Sequence, residues 1–149
     1  MFQTILLVTD GSTPAKRAAD LAATLALQFG STIILLHAYN PVPPYLGQPH
    51  YNEALAEALQ QAHVLVDSVV ETLHERGVAD VIKDVLEGPA ADAILRVAET
   101  RKPDLIVLGA RGLSTWQGIL LGSVSMAVTQ RAECPVLVVK GEASTPPAQ

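Results

Sequence analysis

The chain has 149 residues, of which 49% are hydrophobic and 17% are charged. This composition is typical of a globular chain with one domain and a sizeable core, and it excludes an intrinsically disordered protein. The net charge of −5 argues against nucleic acid as a partner, because binding a phosphate backbone requires a basic face. With one cysteine and no run of about 18 apolar residues, we expect a cytoplasmic protein without a membrane span.

The first strand and the first helix are marked by an apolar run and a helix-start signal. Residues 5–9 form the first predicted strand. A helix is predicted to follow, with Thr13 as its N-cap, Pro14 at its first position and Gly30 at its end. One stripe of this helix is expected to face the core, and it contains Ala18, Leu21, Ala22, Leu25 and Phe29.

The middle of the chain predicts two more strands on either side of a long helix. Residues 32–39 form the second predicted strand, and a proline-rich loop over residues 40–50 follows it. A helix is predicted from Asn52 to a stop at Gly77. Residues 81–87 are predicted to be the third strand, which is more polar and is therefore expected at a sheet edge. The apolar face of the long helix contains Leu55, Leu59, Ala62, Val66, Val69 and Leu73.

The last third of the chain continues the alternation of helices and strands. It predicts a helix, a strand, a helix and a strand over residues 90–100, 105–108, 123–132 and 136–140. Residues 141–149 are rich in Pro, Ser and Thr, and they are predicted to form a disordered tail behind a single domain of residues 1–140. Five strands alternating with helices predict an α/β fold, a parallel sheet with helices on both faces.

A glycine-rich stretch follows the fourth predicted strand. Its spacing is Gly109-x2-Gly112-x9-Gly122-Ser123, and it ends at the start of the last predicted helix. The first two glycines are expected to turn with positive φ and to let the backbone approach a ligand. Gly122 and Ser123 offer amide groups and a hydroxyl at a helix start, which suits an anion. The stretch therefore predicts two backbone surfaces around one phosphate chain.

This spacing resembles the nucleotide-binding signature of the universal stress protein family, in its ATP-binding branch. The resemblance extends from ILLVTDGS at residues 5–12 to CPVLVV at residues 134–139, nearly the whole chain. It implies a single-domain, Rossmann-like, five-stranded parallel sheet of order 3-2-1-4-5 with helices on both faces. In that order the chain builds the sheet outwards in opposite directions from the first and fourth strands, so the strand order reverses between them. Sheets of this kind bind ligands at that point.

The resemblance also implies which residues bind the nucleotide. The aspartate that matches Asp10 lies beside the adenosine part of the nucleotide in the family, and the backbone at the position matching Ala38 meets the adenine. The glycine-rich stretch is expected to hold the phosphates. The nucleotide-binding residues implied in this way are Thr9, Asp10, Ala38, Gly109, Arg111, Gly112, Gly122, Ser123, Val124 and Ser125.

Several residues have simpler interpretations that the sequence leaves open. Asp10 could have no role beyond capping its own turn, and Ser123 could have none beyond that of an N-cap. Arg111 could be a solvated loop charge. His37 lies in an apolar strand and is interpreted as a satisfied core residue rather than a ligand. Cys134 is interpreted as a buried, inert thiol. The histidines are scattered along the chain, so no metal site made of protein ligands is expected.

The predicted function is that of an ATP-binding regulatory protein of the universal stress type. ADP and AMP are alternative ligands, and Mg²⁺ is expected to be held by the phosphates. No catalytic residue is predicted, because the sequence shows neither a placed general base nor the lysine of a Gly-x4-Gly-Lys-Ser/Thr loop. Two alternatives stay open: a slow ATPase or autophosphorylating enzyme, and a dimeric adaptor with a vestigial pocket.

The fifth predicted strand indicates how the protein assembles. Its residues from Val136 to Val139 are all apolar, and the implied strand order puts it at a sheet edge. Proteins normally cover or pair such an edge. A homodimer through residues 135–140 of two copies, from Pro135 to Lys140, is therefore predicted, and relatives of this family commonly dimerise in that way.

Overall fold

A computed structural model of the chain describes residues 1–110 and 122–141. Strands and helices alternate along these residues, with one short 3₁₀ helix at Pro44–Leu46. The strands are β1 Thr4–Val8, β2 Thr32–Tyr39, β3 Val81–Glu87, β4 Leu105–Gly109 and β5 Val136–Val139. The helices are α1 Thr13–Phe29, α2 His50–Glu75, α3 Ala90–Arg101 and α4 Ser123–Arg131.

The five strands form one parallel sheet in the order β3-β2-β1-β4-β5. The predicted fold class and strand order are thereby confirmed. Strand β1 lies at the centre, where Ile5 pairs with Ile33 of β2 on one side and with Leu105 of β4 on the other. Because helices cover both faces of the sheet, successive positions of β1 must be apolar, and Ile5, Leu6 and Leu7 are all fully buried.

Helices α1 and α2 cover one face of the sheet, and α3 and α4 cover the other. On the first face, Leu7 of β1 belongs to the same buried cluster as Val66 of α2. On the second face, the neighbouring Leu6 belongs to a cluster with Ile94 of α3 and Val128 of α4. Adjacent residues of a strand point to opposite faces, so one apolar run supplies both cores. No helix within the described segments has the length and hydropathy needed to cross a membrane.

The buried face of α1 differs from the predicted stripe. The prediction is wrong at Leu21 and Phe29, which are 37% and 43% exposed. Phe29 packs edge-on against Phe2, with the ring centroids 5.3 Å apart. The face towards the sheet consists of alanines, whose small side chains allow the helix to approach the strands closely. These alanines are Ala15, Ala18, Ala19, Ala22, Ala23 and Ala26.

The start of α1 is capped by Ser12, so the prediction of Thr13 as N-cap is wrong by one residue. The Ser12 Oγ accepts a hydrogen bond from the Ala15 amide at 3.3 Å, and Thr13 is the first helical residue. At the other end of the helix, Gly30 is the C-cap with a φ of 67°, as the sequence predicts. The exact cap position matters here because the chain between β1 and α1 is only four residues long.

The two edges of the sheet have different characters. On β3, Lys83 forms an ion pair with Asp67 of α2 at 3.1 Å, and Asp84 forms one with Arg101 of α3 at 3.4 Å. Charged side chains on an edge strand discourage pairing with another sheet. Strand β5, by contrast, consists of four partly buried apolar residues, Val136–Val139. Within the described part of the chain, no strand pairs with the outer edge of β5.

Candidate functional site

A cavity of about 300 Å³ lies where the neighbouring strands β1 and β4 end. The chain leaves β1 for α1 on one face of the sheet, and α4 after β4 lies on the other face. In open parallel sheets this divergence leaves a crevice in which ligands bind. The cavity is lined by Val8, Thr9, Asp10, Ala15, Ala38, Asn40, Pro89, Ala90, Leu108, Gly109, Val124 and Ser125.

Three helices begin at this cavity. The lining residues Ala15, Ala90 and Val124 belong to the first turns of α1, α3 and α4. Amide groups in a first turn have no carbonyl partner within their own helix, and the helix dipole adds partial positive charge there. The first turns of α1 and α4 carry no acidic side chain, whereas that of α3 carries Asp92. The uncapped start of α4 therefore favours an anionic group on its side of the cavity, while the Asp10 carboxylate makes the wall after β1 acidic.

The loop after β1 is held by hydrogen bonds to its own side chains. The Thr9 Oγ1 accepts from the Gly11 amide at 3.2 Å, and the Asp10 Oδ1 accepts from the Ser12 amide at 2.9 Å. The Thr9 amide donates to the Leu36 carbonyl at 2.9 Å, which extends the pairing of β1 with β2. The turn-forming role that the sequence allows for Asp10 is therefore present. Asp10 is also exposed and lines the cavity, so the two roles coexist.

Gly109 ends β4 at the cavity wall. It is not among the glycines with positive φ, so the predicted left-handed turn is wrong at this position. A Cβ on Gly109 would come within 2.7 Å of the Ala15 amide nitrogen, because the first turn of α1 packs directly on the end of β4. Glycine is needed here for the approach of a helix to a strand.

The start of α4 presents backbone amides at the cavity. Gly122 is the N-cap with extended backbone, φ −71° and ψ 168°, and no side chain caps the helix. Ser123 is the first helical residue, so its alternative interpretation as the N-cap is wrong. The first hydrogen bond inside the helix is donated by Met126 to the Gly122 carbonyl. The amide of Val124, which lines the cavity, therefore has no acceptor within its own helix.

Ser125 connects the two elements that flank the glycine-rich stretch. Its side chain is buried, and its hydroxyl donates to the carbonyl of Gly109 at 3.3 Å. The end of β4 and the start of α4 are thus joined by a direct hydrogen bond. The hydroxyl oxygen can still accept a hydrogen bond while it donates this one.

The predicted site residues that the structure describes gather around this cavity. Gly122 and Ser123 lie at the start of α4, beside the lining residues Val124 and Ser125. Arg111 and Gly112 fall outside the described residues. The predicted residues that line the cavity are Thr9, Asp10, Ala38, Gly109, Val124 and Ser125.

The part of the wall formed by the ends of β2 and β3 is not predicted from the sequence. Asn40 directly follows β2, Pro89 is the N-cap of α3, and Ala90 is the first residue of that helix. Parallel strands end at the same edge of the sheet, so the residues just after each predicted strand were the available signal. The remaining missed residues are Val8, Ala15 and Leu108.

His37 and Cys134 do not line the cavity. The His37 Nδ1 lies 2.8 Å from the Thr9 carbonyl oxygen, so His37 is hydrogen-bonded as expected, but its side chain is only partly buried and lies outside the core. Cys134 is partly buried. Burial raises the pKa of its thiol, a backbone hydrogen bond opposes that rise, and the Asp104 carboxylate adds to it. A thiol with a raised pKa is a poor nucleophile at neutral pH, in agreement with the predicted inert role.

A wider cleft of about 660 Å³ lies at the other end of the strands, where α3 and α4 end and β4 and β5 begin. Helix C-termini favour cations, while the side chains of this cleft carry both signs of charge, as in Lys102, Arg131 and Glu133. No single class of ligand is favoured by that combination. The smaller cavity, with its three helix N-termini, is therefore the candidate site.

Comparison with known proteins gives both sequence and structural relatives. The model of the universal stress protein family matches residues 1–140. The universal stress protein in the QAH/OAS sulfhydrylase 3′ region of Thermus aquaticus is 44% identical over 140 residues, which cover 94% of this chain and 100% of that protein. The structure of the hypothetical protein MJ0577 aligns with a TM-score of 0.85 at 28% identity, over 97% of this chain and 99% of that chain.

A second solved structure is a universal stress protein in complex with cAMP. It aligns with a TM-score of 0.73 at 30% identity, over 95% of this chain and 98% of that chain. The similarity therefore extends over almost the full length of both chains.

Proposed function

Because this chain belongs to the universal stress protein family, we propose that it binds ATP and acts as a regulatory nucleotide-binding protein in a stress response. The observation that carries the proposal is the convergence of three helix N-termini on the cavity at the ends of β1 and β4. Amides and helix dipoles together favour phosphate groups. A relative of similar fold, 30% identical to this chain, holds cAMP, which is also an adenine nucleotide.

In the proposed complex, the base and the phosphates contact different walls of the cavity. The adenine lies against the backbone of Ala38, where a small side chain leaves room for a ring. The Asp10 carboxylate accepts hydrogen bonds from the adenosine part of the nucleotide. The phosphates reach the amides of Ser123 and Val124, which lie at the start of α4. Arg111 and Gly112 complete the proposed phosphate contacts.

In this proposal a Mg²⁺ ion that binds with the nucleotide has the phosphate oxygens as its main ligands. This ion usually keeps several waters and takes few protein ligands. Among the described residues, no group of three or more His, Cys, Asp or Glu side chains could hold a metal ion. We assign no catalytic residue, and we expect any ATP hydrolysis to be weak. ADP or AMP can bind in the same cavity, because most of the proposed phosphate contacts are backbone amides.

Two measurements test the proposal. Mass spectrometry of small molecules released by denaturing freshly purified protein is expected to detect an adenine nucleotide. Calorimetric titration of nucleotide-free protein is expected to show saturable binding of Mg-ATP, with Mg-GTP as the control that differs only in its base. Absence of saturable binding for ATP, ADP and AMP would contradict the proposal. Phosphate release during long incubation with Mg-ATP separates a binding protein from the alternative slow ATPase.

We also propose that two copies form a cytoplasmic homodimer through β5. The support for this is the outer edge of β5, which carries four apolar residues and pairs with no strand of the described chain. An isologous pairing of the two β5 strands across a twofold axis satisfies the outward backbone groups of both copies.

A further inference from the structure

One hydrogen bond ties the loop after β1 to the neighbouring strand β2. The ladder between these strands ends with Val8 opposite Leu36, and the Thr9 amide adds a last backbone bond to the Leu36 carbonyl. The carbonyl of Thr9 is then held by a side chain, since the His37 Nδ1 lies 2.8 Å from its oxygen. An imidazole thus continues the connection where the backbone ladder stops.

The chemistry of the pair settles which atom donates. A carbonyl oxygen only accepts hydrogen bonds, so the Nδ1 of His37 must carry the proton in this contact. Thr9 is 3% exposed, so water cannot readily replace a lost donor at its carbonyl. Leaving a buried acceptor without a partner is costly, and the peptide group is therefore held in one orientation.

His37 acts from outside the cavity. Adjacent residues of a strand point to opposite faces, and Ala38 lines the cavity whereas His37 does not. The Thr9 carbonyl and the Asp10 amide belong to one planar peptide group. Fixing the carbonyl therefore fixes the direction in which the chain enters Asp10, the acidic residue of the cavity wall.

We propose that His37 is a positioning residue of the nucleotide site, which holds the Thr9–Asp10 peptide and so presents Asp10 to the ligand. This inference rests on the proposed nucleotide binding. It assigns a function to a residue whose hydrogen bond would otherwise concern only the stability of the sheet.

Two substitutions of matched shape test the role of the donor. In His37→Asn, the amide nitrogen is two bonds from Cβ, as Nδ1 is in histidine, so the donor is kept. In His37→Leu, a methyl group takes that place and the donor is lost. Calorimetric titration with Mg-ATP is expected to show an affinity within about threefold of wild type for His37→Asn and about tenfold weaker for His37→Leu. Equal affinities for the two variants would overturn the proposal.

A double-mutant cycle tests whether His37 acts through Asp10. The loss caused by His37→Leu is expected to shrink below about threefold when Asp10→Ala is already present, because the positioned group is then absent. The same loss in both backgrounds would overturn the proposal. Both variants are compared at temperatures where circular dichroism shows the chains fully folded, so a lower stability alone cannot mimic the result.

A measurement without nucleotide separates this proposal from the proposed function. In ¹⁵N-labelled protein, the amide signals of Asp10 and Gly11 are expected to shift in His37→Leu and to stay near their wild-type positions in His37→Asn. Unmoved signals in His37→Leu would overturn the positioning role even if the protein binds ATP. A wild-type protein that does not bind Mg-ATP would overturn the proposed function, whatever the amide signals show.

Discussion

Gly109 and Pro14 meet so closely that no side chain fits between them. A Cβ built on Gly109 would lie 2.6 Å from the carbonyl carbon of Pro14, a distance that side chains do not adopt. The atoms met are mostly backbone, so no rotation of a side chain can relieve the clash. The end of β4 is thus fitted to the first turn of α1, and Gly109 and Ala15 of these two elements line the cavity.

Substitution Gly109→Ala is expected to lower the free energy of unfolding by about 1–3 kcal/mol, because the added methyl group must push α1 away from β4. Gly141→Ala is the matched control, since a Cβ there also meets Pro14 but only its ring atoms Cγ and Cδ, at 3.3 and 4.0 Å. Its effect is expected to stay within about 0.5 kcal/mol. Urea denaturation of the variants measures both values, and equal losses would contradict the role given to Gly109.

Substitution Gly122→Val is expected to weaken Mg-ATP binding by at least about tenfold, or about 1.4 kcal/mol. A branched side chain at the N-cap crowds the amides of the first turn of α4, where we propose that the phosphates bind. The φ of −71° and ψ of 168° at Gly122 are accessible to valine, so the free energy of unfolding should fall by less than about 1 kcal/mol. Calorimetric titration tests the prediction, and unchanged affinity would rule out this phosphate site.

The strands of this protein could be predicted from the sequence because their apolar runs are nearly continuous. β2 and β3 begin and end at the predicted residues, and β1 is displaced by one residue. The buried face of α1 was predicted less well, since periodicity identifies a stripe but not the depth of the gap it must fill. Large residues such as Leu21 follow the helical period, yet the fully buried face of α1 consists mainly of alanines, and Leu25 packs only partly buried beside them.

Only part of the candidate site could be predicted from the sequence, because here too the pattern marks the elements but not how closely they pack. Asp10 and Val124 follow or begin elements that the sequence marks clearly, and the strand order brings them to one cavity. The role of Gly109 could not be predicted, because its contact with Pro14 depends on how closely α1 docks. Ala90 was not predicted because nothing in its own segment shows that the start of α3 reaches across the end of β2 to the cavity beside β1.

Cys134 is expected to react slowly with iodoacetamide at neutral pH, because burial raises the pKa of its thiol and lowers the thiolate fraction. The alkylation rate should begin to rise at a higher pH in the folded protein than in protein unfolded in urea. Mass spectrometry of timed samples measures both rates. Coinciding pH profiles for folded and unfolded chains would contradict the prediction.

The raised pKa of Cys134 also sets a direction for stability. The unfolded chain loses the thiol proton at a lower pH than the folded chain does, so the folded state binds more protons in the alkaline range. The stabilising contribution of the Cys134 thiol to the free energy of unfolding is therefore fully present below the pKa that the thiol has in the unfolded chain. It is lost as pH rises through the higher pKa that the thiol has in the folded chain. In Cys134→Ser this particular loss is expected to disappear.

The backbone of β5 divides its hydrogen-bonding groups between two sides. The Ile106 and Ala110 amides of the β4 side donate to the carbonyls of Pro135 and Val139, at 3.0 Å and 2.8 Å. Backbone groups alternate in direction along a strand, so the N–H and C=O of Val138 face the outer edge. Pairing with a second copy through these outward groups requires no rearrangement of the sheet.

Substitution Val138→Pro is therefore expected to convert a dimer into a monomer while the fold is kept. Proline removes an outward donor, and an edge position tolerates proline because no bond to β4 is lost. Leu137→Pro is the matched control: its amide faces β4, so it should lower the free energy of unfolding markedly. Sedimentation equilibrium at micromolar concentration should give the wild-type protein twice the chain mass of 15.7 kDa and Val138→Pro the single value. A wild-type monomer, or a dimer unaffected by Val138→Pro, would show that β5 does not form the interface.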